Sequence, residues 1–145
     1  MSLNSFSAKA GILLVLLLSN PLAVYAGDFV CSIKNVAQLS DNGFFVTHGW
    51  SANYLNREFT VERETGKVLR TTALKQRLSN FDRENMPVLL SNGEAGDAFK
   101  AVTVFEKNGQ YALLEIRNAA GSNPRPFFYH TGIGMILSGT CEEAG

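Results

Sequence analysis

Phe99-Lys100-Ala101-Val102-Thr103-Val104-Phe105-Glu106-Lys107-Asn108-Gly109-Gln110-Tyr111-Ala112-Leu113-Leu114-Glu115-Ile116-Arg117 consists of two apolar-rich arms joined at an Asn-Gly pair. The arms carry Phe99, Val102, Val104 and Phe105, then Tyr111, Leu113, Leu114 and Ile116. Aromatic and β-branched residues favour a pleated, half-buried strand. Asn and Gly both tolerate positive φ, which a tight hairpin turn of the primed type requires. The segment therefore reads as a β-hairpin, and it sets the class for the rest of the chain.

The same punctuation recurs on either side. Asn42-Gly43 and Asn92-Gly93 repeat the pair, and Thr65-Gly66 and Thr131-Gly132 are weaker versions of it. Between them lie segments with strand character. Phe29, Cys31 and Ile33 alternate with Val30, Ser32 and Lys34, and Phe59 and Val61 alternate with Glu58, Thr60 and Glu62. Val68-Leu69-Arg70, Val88-Leu89-Leu90, Phe127-Phe128-Tyr129 and the run from Gly134 to Cys141 complete the set. Two stretches break the pattern. Leu74, Leu78 and Phe81 stand at helical spacing, predicting a short helix over 72–81, and Trp50 and Tyr54 allow one helical turn or an irregular loop. About seven or eight strands with tight sequential turns make the chain all-β and mainly antiparallel. The expected architecture is a small up-and-down barrel with one short helix, and a two-sheet β-sandwich is the alternative.

The first 26 residues read differently. A short polar stretch with Lys9 precedes the apolar run Gly11 to Leu18, Pro21 ends it, and Val24-Tyr25-Ala26 supplies a small-residue cut site. The run is too short to span a bilayer and suits a secretory signal. Residues 1–26 are thus expected to be a signal peptide cleaved after Ala26, and residues 27–145 a single β domain. Cys31 follows Asp28-Phe29-Val30, which is not a lipoprotein cut site. Export changes the meaning of the two cysteines, Cys31 and Cys141: in an oxidising compartment an isolated pair is most simply a disulfide. Each lies on an apolar strand face, so bridging them would bring the first and last strands together and favour a closed or nearly closed barrel over a sandwich.

The chain of 145 residues balances 13 Lys and Arg against 13 Asp and Glu, which excludes a nucleic-acid binder driven by bulk phosphate attraction. A hydrophobic fraction of 46% excludes disorder as a whole-chain state. The only histidines are His48 and His130, without metal-ligand spacing, so no metal or other cofactor is expected. No nucleophile elbow or phosphate loop is present.

The early Cys31, the segment Phe59-Thr60-Val61-Glu62-Arg63-Glu64-Thr65-Gly66, the pair Pro126-Phe127 and the terminal Gly139-Thr140-Cys141, behind a signal peptide, together resemble small exported proteins of Gram-negative bacteria that carry no assigned activity. The shared motifs are turn and closure elements and bring no functional residues with them.

Recognition is the remaining source of function. His48, Trp50 and Tyr54 form one aromatic group and Tyr129 and His130 another, while Pro124 and Pro126 hold Arg125 in a restricted loop. These six residues are the candidate binding surface. The expected function is an exported, non-catalytic binding protein of the bacterial periplasm or exterior. It would act as a monomer on a protein or envelope partner, without nucleic acid or membrane insertion. A carrier of a small apolar ligand in the barrel interior is the alternative. A hydrolase pairing Glu62 or another carboxylate with His48 is the outsider.

Overall fold

The computed structural model describes residues 27–70, 78–94, 96–118 and 123–145. The signal peptide, and most of the helix expected over 72–81, lie outside the described residues. The strands are β1 (Phe29–Leu39), β2 (Phe45–Thr47), β3 (Glu58–Val61), β4 (Val68–Arg70), β5 (Val88–Asn92), β6 (Phe99–Phe105), β7 (Gln110–Ile116), β8 (Arg125–His130) and β9 (Ile136–Glu143). One short helix, α1 (Ser51–Tyr54), supplies the helical turn expected around Trp50 and Tyr54.

All strands belong to one antiparallel sheet in the order β4-β3-β1-β9-β8-β7-β6-β5, with β2 set beside β1 off this path. The all-β class therefore holds, and the first and last long strands pair as expected. The sheet curls into a half-barrel whose opening falls between β4 and β5. Among the described residues strand pairing therefore closes the β1–β9 seam and leaves another open. The curl still brings the two edges near each other: a side chain at Gly66, in the β3–β4 turn, would meet the Ala101 Cβ at 2.7 Å.

Asn80 shows how the open edge is satisfied. Glu62 N–H donates to the Lys67 carbonyl and the Glu62 carbonyl accepts from the Gly66 N–H, which leaves the Gly66 carbonyl and the Val68 N–H facing away from β3. The buried Asn80 side chain accepts from the Val68 N–H at 2.7 Å and donates to the Gly66 carbonyl at 2.8 Å. One side-chain amide thus imitates the peptide of a neighbouring strand, sparing two buried groups the cost of going unpaired.

The inward face of the curl is apolar on every long strand save at the buried Thr103 of β6. Phe29, Cys31 and Ile33 of β1 face Phe59 and Val61 of β3, Phe99 and Ala101 of β6, Leu114 and Ile116 of β7, Phe127 and Tyr129 of β8, and Leu137 and Cys141 of β9. Phe59 meets the Phe127 ring edge-on at 5.3 Å, and Phe29 lies 5.3 Å from Phe99. Each large side chain buried this way stabilises the fold by about 1.5–3 kcal/mol. The disulfide joins Cys31 to Cys141, which stand directly opposite in the β1–β9 register.

The turns depart from the primed type expected of Asn-Gly. Asn42, Asn92 and Asn108 keep negative φ, and only the following glycines, Gly43, Gly93 and Gly109, are left-handed. A type I′ turn needs both central residues at positive φ, and a type II′ turn needs it at the first. The chain uses longer loops instead, in two cases with one shared design. In β1–β2, Ser40 N–H donates to the Phe44 carbonyl, Gly43 N–H to the Ser40 carbonyl and Phe44 N–H to Ser40 Oγ. In β8–β9, Thr131, Met135 and Gly134 repeat all three bonds in the same positions. A hydroxyl residue four positions before its partner, with glycine at the left-handed corner, is the working turn signal in this chain.

Candidate functional site

β1 is longer than the barrel needs. It spans 11 residues, and a bulge between Ile33 and Asn35 re-aims its far end. One edge of β1 is covered by a strand in two pieces: β3 pairs with Phe29 to Ser32, and β2 pairs with Ala37 to Leu39. The chain leaves β1 between the pieces to form α1. Tyr54, buried, anchors that excursion, and Arg57 N–H donates to the Tyr54 carbonyl where the chain rejoins.

β2 pairs only with β1 among the described residues, so its other edge is open. The parity of the ladder identifies the groups on that edge. Phe44 and His48 bond to Ser40 and Val36 of the β1 side, so Phe45 and Thr47 point their N–H and C=O groups outward. The side chains here are apolar and exposed: Phe44 is 70% exposed, Phe45 67% and Leu39 61%. Val46, Trp50 and Leu55 are exposed around them. The edge from Phe44 to Thr47 has no Lys, Pro or bulge, the devices that usually protect a free strand edge. Next to it, His48 Nδ1 accepts from the Trp50 N–H at 3.0 Å, and the two rings lie 5.3 Å apart.

A second aromatic group shares this end of the barrel. The register runs across the sheet through Ala37, Ile136, His130, Leu113, Val102 and Val88, which puts the β1–β2 tip beside the β8–β9 and β6–β7 turns. His130 stacks on Tyr111 at 4.8 Å and 19°. Both line a groove with Gly109, Gln110, Gly132, Ile133 and Gly134. The opposite end is charged: Glu143 bridges Arg63 and Arg125 at 3.1 and 2.9 Å, and both guanidinium groups lie over the Phe29 ring.

The six expected surface residues thus separate into three places. His48 and Trp50 stand together beside the open edge, with His130 at the same end. Arg125 opens β8 at the far end, in register with Cys141 and tied to Glu143. Tyr54 and Tyr129 are buried and so correct the expectation that they present themselves at the surface. In Phe127-Phe128-Tyr129 the alternation of the strand turns only Phe128 outward. The Glu62–His48 pair of the hydrolase reading does not form either. Glu62 follows Val61 opposite Phe29, while His48 bonds beside Val36, roughly 20 Å away along β1. Among the described residues no three His, Cys, Asp or Glu side chains converge as metal ligands, and no helix is long and apolar enough to cross a membrane.

Tyr129 has a structural task inside the curl. Its hydroxyl donates to the Leu78 carbonyl at 2.6 Å, joining β8 to the segment before β5. Burial pushes the phenol well above its ordinary value, because the phenolate would lose its hydration there. The unfolded chain releases this proton near pH 10 and the folded chain does not. Stability from Tyr129 is therefore complete below about pH 10 and falls as pH rises beyond it. Tyr129→Phe should lose about 1–2 kcal/mol at neutral pH, with the Leu78 carbonyl left unpaired, and should show a shallower alkaline decline in urea titrations at pH 9 to 11. An unchanged alkaline slope would show that the phenol ionises freely in the folded state.

The residues that sequence reasoning passed over are Leu39, Phe44, Phe45 and Val46. Their signal was present, as three consecutive apolar residues directly after a turn with no alternation to hide any of them. Comparison with known proteins gives no match among family models, curated sequences or solved structures, so the open β2 edge and its aromatic surround are read from their own chemistry.

Proposed function

We propose that this chain is an exported, non-catalytic binding protein of the bacterial periplasm or exterior, and that it recognises an extended polypeptide through the β1–β2 tip. The observation that carries this reading is the uncharged open edge of β2, with Leu39, Phe44, Phe45 and Val46 exposed around outward-facing backbone groups. Such an edge accepts a further strand by main-chain hydrogen bonding, and the flanking apolar side chains supply the affinity. Large apolar residues gathered at one tip mark an interaction surface more than scattered ones do. The disulfide and the leader-like first 26 residues support the compartment. The inward face is filled by aromatic and aliphatic side chains, so recognition is assigned to the outside of the curl.

The test is a photo-crosslinking amino acid placed at Phe45 and, as control, at the exposed outer-face position Val104, in protein exported by a Gram-negative host. Adducts to polypeptide are expected from position 45 and not from 104. The product isolated from the periplasm should begin at Gly27. Equal labelling at both positions, or none at 45, would overturn the assignment of the tip, and retention in the cytoplasm would overturn the compartment.

A further inference from the structure

The open edge is able to pair with a second copy of itself. On β2 the outward backbone groups belong to Phe45 and Thr47, with Val46 midway between them. Two such edges related by a twofold axis through Val46 place Phe45 of each opposite Thr47 of the other. All four outward N–H groups then find the four outward carbonyls, and Val46 meets Val46 of the second copy in the close, non-hydrogen-bonded position. No residue has to shift register for this match.

The charges agree with the same arrangement. The edge from Phe44 to Thr47 and its neighbours Ala37, Gln38 and Leu39 carry no charge, so two copies approach without like-charge repulsion. The antiparallel twofold sets Phe44 opposite His48 of the second copy and brings the turn with Asp41 toward its His48–Trp50 segment. His48 Nδ1 already accepts a hydrogen bond from Trp50, so the neutral ring carries its proton on Nε2, a donor suited to the Asp41 carboxylate. The apolar side chains divide between the two faces of the joined hairpins. Leu39 and Phe45 fall on one face and Phe44 and Val46 on the other, so both faces gain burial. Resting on the tip reading above, we infer that the extended polypeptide bound at β2 is the β2 strand of a second copy of this chain. The two hairpins then form a continuous four-stranded ribbon, β1-β2-β2-β1, between two half-barrels. This departs from the single-chain state expected from the sequence.

The experiment uses the exported, oxidised protein. Val46→Cys places two thiols across the axis at a separation suited to a disulfide, and Val104→Cys is the control for random collision. The expected result is that most of the Val46→Cys chain runs as a covalent dimer after mild oxidation, and that Val104→Cys does not. Thr47→Pro deletes an N–H that faces away from β1, a change an edge strand tolerates. It should weaken association at least about tenfold in sedimentation equilibrium while leaving the thermal unfolding of the monomer unchanged. A single-chain mass for the unsubstituted protein at every concentration, or equal crosslinking at 46 and 104, would overturn the second copy. If that happens while a crosslinker at Phe45 still captures a different polypeptide, the tip remains the binding site and only its occupant is wrong. If both fail, the tip reading falls with the dimer.

Discussion

Removing the disulfide, by Cys31→Ala with Cys141→Ala, should lower the free energy of unfolding by about 4–5 kcal/mol, the largest single effect expected in this chain. The bridge spans a sequence separation of 110, so it closes a loop holding almost all of the described residues. Cutting it restores to the unfolded chain the freedom of its two ends, whereas the folded state keeps them side by side through the β1–β9 ladder. That ladder is long, running from Phe29 opposite Glu143 to Ala37 opposite Ile136. The double variant is therefore expected to fold with the same sheet at low temperature and to unfold at much lower urea. Urea titration of both forms checks this, with a steeper slope of free energy against denaturant expected for the double variant, whose unfolded chain is freer to expand. A loss below about 1 kcal/mol would mean that the unfolded chain already holds its ends together.

The second large effect is expected at Gly139→Ala, at about 3 kcal/mol or more. Gly139 lies opposite Ile33 at the β1 bulge, and a Cβ there would stand 2.0 Å from the Ser32 carbonyl oxygen and 3.0 Å from the Lys34 nitrogen. Both obstacles are backbone, and the Phe127 ring closes the remaining side at 3.0 Å. The added methyl can be housed only by prising β1 from β9 where the bulge bends the strand. Because that bend aims the far end of β1, the same substitution should also disturb the β1–β2 tip. Gly49→Ala is the matched control, with open space around its Cβ, and should change stability by less than about 0.5 kcal/mol. Thermal unfolding of the two variants side by side decides the matter, and equal melting would remove the bulge as a constraint on the fold.

Much of this architecture could be read from local pattern. Alternation in Phe29 to Ile33 and in Phe99 to Ile116 marks strands and their inward faces because the side-chain period of a strand is two. The two cysteines marked the seam because both stood on apolar faces of the first and last strands. The candidate site was legible only in part. Trp50 and His48 stand out in the sequence as aromatic residues in a loop, and the structure sets both beside the open β2 edge. Three aromatics in a row show that one points outward without showing which, so Tyr129 reads as exposed from sequence, and its buried parity depends on the register with β7 and β9. Sequence proximity sets Arg125 beside Tyr129 and hides the length of a strand: β8 carries them toward different ends.

What local chemistry decides alone is the all-β class, the positions of the turns and the partnership of Cys31 with Cys141, since each depends on neighbours along the chain or on there being only two thiols. What only the folded arrangement decides is where, among the described residues, the sheet fails to close and which edge stays bare. The opening between β4 and β5, and the β2 edge left uncovered when β3 takes over the near half of β1, are outcomes of long-range pairing. A strand's own sequence states how it pleats and what it buries, but whether a second strand lies beside it is settled by every other strand competing for the same edge.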